Sequence, residues 1–532
     1  MKVIKLVASI TLLLLSQLVS ANVSLNSLFA DHMVVQQKTK IPVWGWADPM
    51  EKVLVKASWG AEAETIAKAD GSWSLKLKTP KAGGPFKIVI SGKNRIVLED
   101  VLAGEVWLCS GQSNMDFSMS KFTSDSREAK YQPLVEYIRE EVKTANDPWL
   151  RHIEVAHTTS LNGKKNNFEG NWRSATAGHV GKITATGYFF AKELRKQLNV
   201  PIGLVECALG GTRIQPWLSE EAYAEDEEMK AFFDENRAEA KILTAEMSKE
   251  GYLDTVYQNK LKAWKANKKN LRKPWPSENP ESDKQMPATL YNGMLLSIIP
   301  FAIKGVLWYQ GESNSHYLEN EYEKYFTKLI NSWRADWKQA DLPFYWTQLA
   351  AYHVPDERSD MGWASINDQL RRTLKLPNTG MAVLYDIGEA KDVHPHNKMD
   401  TGKRLALWAL SNDYGVKVPA VSGPLYKSSK ITDGKIEIKF NQVGSGLMVG
   451  EKKLSNPTVA VDESLKFFEI AGEDDIWKSA DAKIISSNRI EVSSPEVEKP
   501  ISVRYGWSSN PTGANLYNKE GLPASVFTSE NN

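Results

Sequence analysis

The feature that most constrains this chain is a rhythm between about residues 104 and 414, where short apolar runs alternate with stretches of helical period. Runs 105–109, 202–209, 305–309, 344–349 and 381–385 read as buried strands. Stretches 184–198, 322–337 and 398–410 place apolar residues on one side of a helix, as Tyr188, Phe189, Ala191 and Leu194 do in the first. This alternation predicts an α/β architecture: a mostly parallel sheet with helices on both faces. Ligands of such sheets bind beyond the carboxyl ends of the strands. Three runs end there in polar, glycine-bearing loops: Ser110-Gly111-Gln112-Ser113-Asn114-Met115, Gly210-Gly211-Thr212 and Gln310-Gly311-Glu312-Ser313-Asn314. After the run ending at Tyr385 comes Asp392-Val393-His394-Pro395-His396.

The flanks read differently. Residues 22–100 carry short β-rich runs at 43–46, 52–59, 73–77 and 86–90, punctuated by Asp48-Pro49, Asp70-Gly71 and Gly83-Gly84-Pro85. That pattern predicts an N-terminal β-sandwich domain. Residues 415–532 return to short strands and predict a C-terminal β-rich domain, which leaves 101–414 as the α/β domain. Two insertions interrupt the middle part, near 116–170 and 219–284; the second is rich in Glu, Lys and Ala and reads as exposed helices, a solvated face or a lid.

Bulk chemistry narrows the partners. With 66 basic and 65 acidic side chains, net charge is +1, which argues against nucleic acid or an anionic membrane as the main partner. A basic start (Lys2, Lys5), an apolar stretch at 6–19 and small residues at Val19-Ser20-Ala21 read as a signal peptide spanning 1–21. Its cleavage near Ala21 implies export to the periplasm or the extracellular space; an uncleaved anchor is the other reading. No second long apolar run exists, so no membrane span is expected in the mature chain. Cys109 and Cys207 are the two cysteines and read as buried free thiols rather than a bridge. No paired-Cys or His-Glu-x-x-His spacing is present, so neither a metal nor a cofactor is expected. The 18 Trp fit either a core or flat platforms for sugar rings.

The loop residues have a chemical use. A serine hydroxyl becomes a nucleophile when a base takes its proton. Histidine does this near neutral pH, and a carboxylate on its other nitrogen fixes the tautomer. Glycines let backbone N–H groups approach a developing oxyanion, where one donor is worth about 3 kcal/mol of barrier. Each motif alone could be an ordinary turn; their placement at successive strand ends points to catalysis.

Together the motifs resemble those of the SGNH (GDSL-like) hydrolases and, among them, the sialate O-acetylesterase family of carbohydrate esterases. The resemblance runs through Asp31–Gln36, Pro42–Ala47, Gly111–Met115, Gly210–Ile214, Trp308–Asn314, Asp392–Lys398, Arg504–Trp507 and Glu520–Ala524. It implies a flavodoxin-type sheet. It implies Ser113 as nucleophile, His394 as base and Asp392 as orienting acid. The oxyanion hole would be the N–H groups of Ser113 and Gly211 with a side chain from the third motif, Asn314 first and Gln310 next. Gln112, Gln310 and Glu312 become candidate substrate contacts. The superfamily's Asp-x-x-His is here Asp392-Val393-His394, and its Gly-x-Asn-Asp is Gly311-Glu312-Ser313-Asn314. His396 has Val393 three residues before it, so it is the weaker base; Asp386 is a rival orienter. His32, His152, His157 and His179 read as structural or solvated, while His316 and His353 lie near strand ends and could touch substrate. The implied function is serine esterase action on O-acetylated sialic acid or sialoglycan by double displacement. Acetylxylan or another polysaccharide is the alternative substrate, and a non-catalytic glycan-binding protein the alternative from another class.

The leader generates a direct prediction. Secreted from an exporting host, the protein should begin within a residue or two of Asn22 by N-terminal sequencing; retention of Met1 would show an uncleaved anchor.

Overall fold

The computed structural model describes residues 22–249, 252–268, 279–354 and 357–530. The expected leader lies outside the described residues, as do parts of the expected 219–284 insertion. Seven strands form the part of the sheet that carries the site: β1 (Arg95–Gly111), β2 (Asn146–Glu154), β3 (Arg173–Thr176), β4 (Ile202–Ala208), β5 (Gly305–Tyr309), β6 (Phe344–Thr347) and β7 (Thr379–Ala382). Their spatial order is β3-β2-β4-β1-β5-β6-β7. All neighbours run parallel except β3, which is antiparallel to β2.

β1 is the axis of the molecule. Its first half pairs antiparallel with Gly83–Ser91 of the N-terminal strands, and its second half pairs parallel with β4 and β5. The expected boundary at residue 100 therefore falls inside a continuous strand. Burial changes along it as pairing does: the start is partly exposed, while every residue from Val101 to Gly111 is buried, as in parallel strands covered on both faces. Alternation then sorts the side chains. Val106 and Leu108, with Val306 and Trp308 of β5, pack in a core shared with Phe326, Ile330 and Trp333 of helix Tyr322–Asp336. Trp107 and Cys109, with Leu307 and Tyr309, face the opposite core, shared with Phe190 and Leu194 of helix Ala185–Leu198 and with Leu405 and Ala409 of helix Lys398–Tyr414. Helices thus cover both faces, as the alternation predicts.

Two strands escaped the sequence pattern. β2 and β3 emerge in and just after the polar insertion, and β2 buries a continuous run only from Leu150 to Ile153. Buried His152 reaches Glu206 of β4, Nε2 to Oε2 at 2.6 Å, and burial pushes its imidazole down to about 3. The described parts of the second insertion carry the helices Glu220–Ala224, Glu227–Met247 and Thr255–Ala266. The C-terminal part is built of small antiparallel sheets, one of them pairing Leu425–Thr432, Lys435–Asn441, Arg489–Ser493 and Asp481–Ser486 in that order. It docks through Tyr505, whose hydroxyl meets that of Tyr385 at 3.1 Å, and through Ser525, which accepts from Gln348 at 2.9 Å. Both cysteines are free and buried. Trp107, Trp217, Trp308, Trp333 and Trp346 are fully buried, so these indoles serve the core and not a sugar platform. Among the described residues no helix is long and apolar enough to cross a membrane.

Candidate active site

β1, β4 and β5 end side by side, so their loops converge. Gly111 leaves β1 with φ of +134°, and a Cβ there would stand 2.2 Å from the carbonyl oxygen of Tyr309. Only glycine permits that approach and that backbone. The turn hands the chain to the short helix Ser113–Asp116, with Ser113 as its first residue.

Ser113 Oγ lies 2.8 Å from Nε2 of His394. On the other side of the ring, Nδ1 stands 3.5 Å from Oδ1 of Asp392, and the same oxygen accepts the His394 backbone N–H at 3.0 Å. Burial raises the Asp392 carboxyl, but the hydrogen bonds from His394 and the charge of Arg127 outweigh it and hold the group below the ordinary value. The ring of Phe117 lies 4.6 Å from the imidazole, centroid to centroid, and limits its swing. The structure therefore brings Ser113, His394 and Asp392 together in one line of contacts. His396 is turned elsewhere: its Nδ1 binds Oε1 of buried Glu389 at 2.8 Å. Asp386 is taken up by Arg404, at 2.6 and 2.8 Å through both oxygens, and is not available to orient a histidine.

The Gly210-Gly211 loop closes over the serine. A Cβ on Gly210 would lie 3.4 Å from that of Ser113, and its N–H donates to Oδ2 of Asp116 at 2.9 Å. Gly211 follows with φ of +70°. The end of the charged insertion and the residue after it latch this loop: Lys284 Nζ donates to Gly210 O at 2.8 Å and Gln285 Nε2 to Gly211 O at 2.6 Å.

The third loop engages both of its amide candidates in internal hydrogen bonds. Asn314 is fully buried, with Oδ1 accepting from Ile214 N and Gln310 Nε2 and Nδ2 donating to Gln215 Oε1 and Tyr317 O. Its amide is engaged at both ends, so it offers no donor to an oxyanion. Gln310 is equally committed: Nε2 reaches Gln112 Oε1, Thr212 O and Asn314, while Oε1 accepts from Tyr322. These two residues cross-link the loops. Gln112 joins the frame through Oε1, which also accepts Ser313 N at 3.2 Å.

Glu312 is buried, with Oε1 2.6 Å from Nδ2 of Asn114, and burial raises its carboxyl. Asn114 Nδ2 also reaches Val393 O at 3.0 Å, and Oδ1 accepts from Lys398 Nζ at 2.5 Å. Lys398 is fully buried; desolvation pushes its ammonium down to about 7 against the opposing pull of Glu312, Glu389 and Asp392. Sequence reasoning missed Asn114 and Lys398 as site residues. The available signal was their presence inside the quoted motifs. Among the described residues, Asp116, Glu154 and His157 bring potential metal-ligand atoms within 4.8 Å of one another, with Asp116 Oδ1 3.0 Å from His157 Nε2 and Oδ2 accepting from Gly210 N.

Comparison with known proteins gives a consistent set of relatives. The model of the family described as carbohydrate esterase, sialic acid-specific acetylesterase matches residues 103–278 and 270–410. The sialate O-acetylesterase of Mus musculus is 26% identical over 456 residues, 78% of this chain and 78% of that protein. That of Homo sapiens is 25% identical over 524 residues, 91% of this chain and 87% of that protein. The crystal structure of a carbohydrate acetylesterase from Xanthomonas citri superposes with a TM-score of 0.76 at 32% identity, covering 96% of this chain and 99% of that one.

The geometry sets a ranking of variants. Ser113→Ala and His394→Ala should each lower turnover of a chromogenic acetyl ester by about 10³-fold or more, with the unfolding midpoint little changed for the first. His396→Ala should be milder in kcat per folded molecule; the reverse ranking would move the base to His396.

Proposed function

We infer, from the fact that the chain belongs to the carbohydrate esterase family of sialic acid-specific acetylesterases, that it is a serine esterase releasing acetate from O-acetylated sialic acids. The observation that carries the mechanism is the 2.8 Å contact between Ser113 Oγ and His394 Nε2. Ser113 attacks the acetyl carbonyl while His394 takes its proton and Asp392 holds the ring. The N–H groups of Ser113 and Gly211 receive the oxyanion; among the described residues neither donates to a protein acceptor. The sugar oxygen leaves with the proton from His394. Water then attacks the acetyl-enzyme by the same route, returning acetate and free Ser113. Glu312 stands behind this line, not in it.

The sheet supports an SGNH-like, flavodoxin-type reading. With β2 and β3 set aside as additions, the order β4-β1-β5-β6-β7 is the 2-1-3-4-5 order of that class. We place an esterase domain at 101–414 between β-rich domains at 22–100 and 415–532, with β1 as the shared strand, and assign 1–21 to export toward the periplasm or extracellular space, where sialoglycans are met. A second reading has its own support: the Xanthomonas citri relative is named only as a carbohydrate acetylesterase, which suits a wider range of acetylated sugars.

Purified protein from Asn22 onward should release acetate from O-acetylated sialic acid without added divalent metal. It should favour acetyl over butyryl esters, because a tight acyl pocket discriminates by about 1–3 kcal/mol per methylene. Activity on acetylated xylan alone would replace sialic acid as the substrate, and a strict requirement for a divalent ion would overturn the mechanism.

A further inference from the structure

Lys398 is the most unexpected residue near the site. It is the first residue of helix Lys398–Tyr414 and is 0% exposed. Its ammonium lies 4.9 Å from the ring centroid of Phe122 and 5.4 Å from that of Tyr309. An apolar side chain would fill such a place at less cost than a cation, since burying charge is expensive unless it is paired. What the cation meets is an amide. Lys398 Nζ donates to Asn114 Oδ1, and Asn114 Nδ2 donates onward to Glu312 Oε1 at 2.6 Å. The amide thus lies between a buried cation and a buried carboxyl, which fixes its orientation. Flipped, it would set NH₂ against ammonium and oxygen against carboxyl oxygen.

The positions along the chain give this bridge its meaning. Asn114 is the neighbour of Ser113, and its Nδ2 also holds the carbonyl of Val393, the neighbour of His394, at 3.0 Å. One amide therefore ties together the residues adjoining both ends of the Ser113–His394 hydrogen bond. Glu312 brings in the third strand-end loop, and Lys398 anchors the assembly to a long helix. Thr186 completes the hold by donating to the Asn114 carbonyl at 2.8 Å.

We propose that Lys398, Asn114 and Glu312 form a buried clamp that holds Ser113 and His394 in register, making all three positioning residues that do not touch the reacting atoms. This rests on the reading of Ser113 as nucleophile and His394 as base. It assigns Glu312 a place behind the site in preference to the substrate contact expected from sequence. A clamp of this kind acts on the chemical step and leaves ground-state binding alone, because misplacement of reacting groups by about 1 Å costs about 10²-fold in rate.

The test compares Lys398→Met, Glu312→Gln and the double variant with wild type on a small acetyl ester, with kcat expressed per mole of folded protein. Each single variant should lose about 100-fold in kcat with KM within about twofold of wild type. The double variant should lose no more than the worse single, because the three residues act as a unit. It removes both buried charged groups together, so it reports on the clamp even where a single variant fails to fold. Wild-type kcat in the double variant overturns the proposal, and so does a loss that appears in KM alone. Ser113→Ala separates the two levels: if it retains turnover, the nucleophile assignment fails; if it is inactive while the double variant is fully active, the clamp alone fails.

Discussion

The turn at Gly111 decides where Ser113 stands in this molecule. The central strand is buried along its whole second half, and the chain must leave it under the carbonyl of Tyr309, where a Cβ would sit at 2.2 Å. Glycine meets both the steric demand and the φ of +134°. The next residues are then forced upward into a short helix whose first side chain is Ser113. Because β4 and β5 flank the same strand in parallel register, their loops arrive at the same level. The Gly210-Gly211 loop and the Glu312 loop are thus delivered to the serine by sheet geometry, and the histidine loop follows from β7 with the helix behind it.

Polar side chains then hold these loops at the right separation. Gln310, Gln112 and Asn314 cross-link the three loops in the dry interior, where an unmade hydrogen bond costs about 1–3 kcal/mol. Burying a charged side chain costs several kcal/mol before its contacts offset it, a large share of a typical folding stability of about 5–15 kcal/mol. A protein that keeps Lys398 and Glu312 in its core is therefore not arranged for stability alone. The neighbouring Asp386–Arg404 pair, also buried, serves a different end: Tyr517 of the C-terminal part reaches Asp386 at 3.4 Å, so this pair helps fasten the C-terminal strands to the sheet.

The architecture was legible where local pattern and global role agree. The buried parallel strands are continuous apolar runs, and their helices have one clear apolar side, so alternation alone gave the α/β middle with helices on both faces. β2 was not legible, because it mixes Asp147, Arg151 and His152 into a strand whose partners are far away in sequence. The continuity of β1 was hidden by Glu99 and Asp100. Asp100 takes a positive φ of 53° and turns its carboxylate to Arg151, so a strand reads as a turn. At the site, Ser113 and His394 stand out because their motifs follow buried strands at the sheet end where ligands bind. Asn314 misled because five polar residues follow one another, and the one turned inward is chosen by partners such as Ile214 N and Gln215, which no spacing reveals. Lys398 was invisible for the opposite reason: lysine at a helix start reads as solvated.

The central claim is that Ser113 is activated by His394 within one fixed geometry. Its most direct test is covalent labelling with an alkyl fluorophosphonate followed by peptide mass mapping of the wild-type protein and of His394→Ala. The account predicts a phosphonyl adduct on Ser113 of the wild type and little or none in the histidine variant. An adduct on a different serine, such as Ser110 or Ser313, or equal labelling without His394, would contradict it.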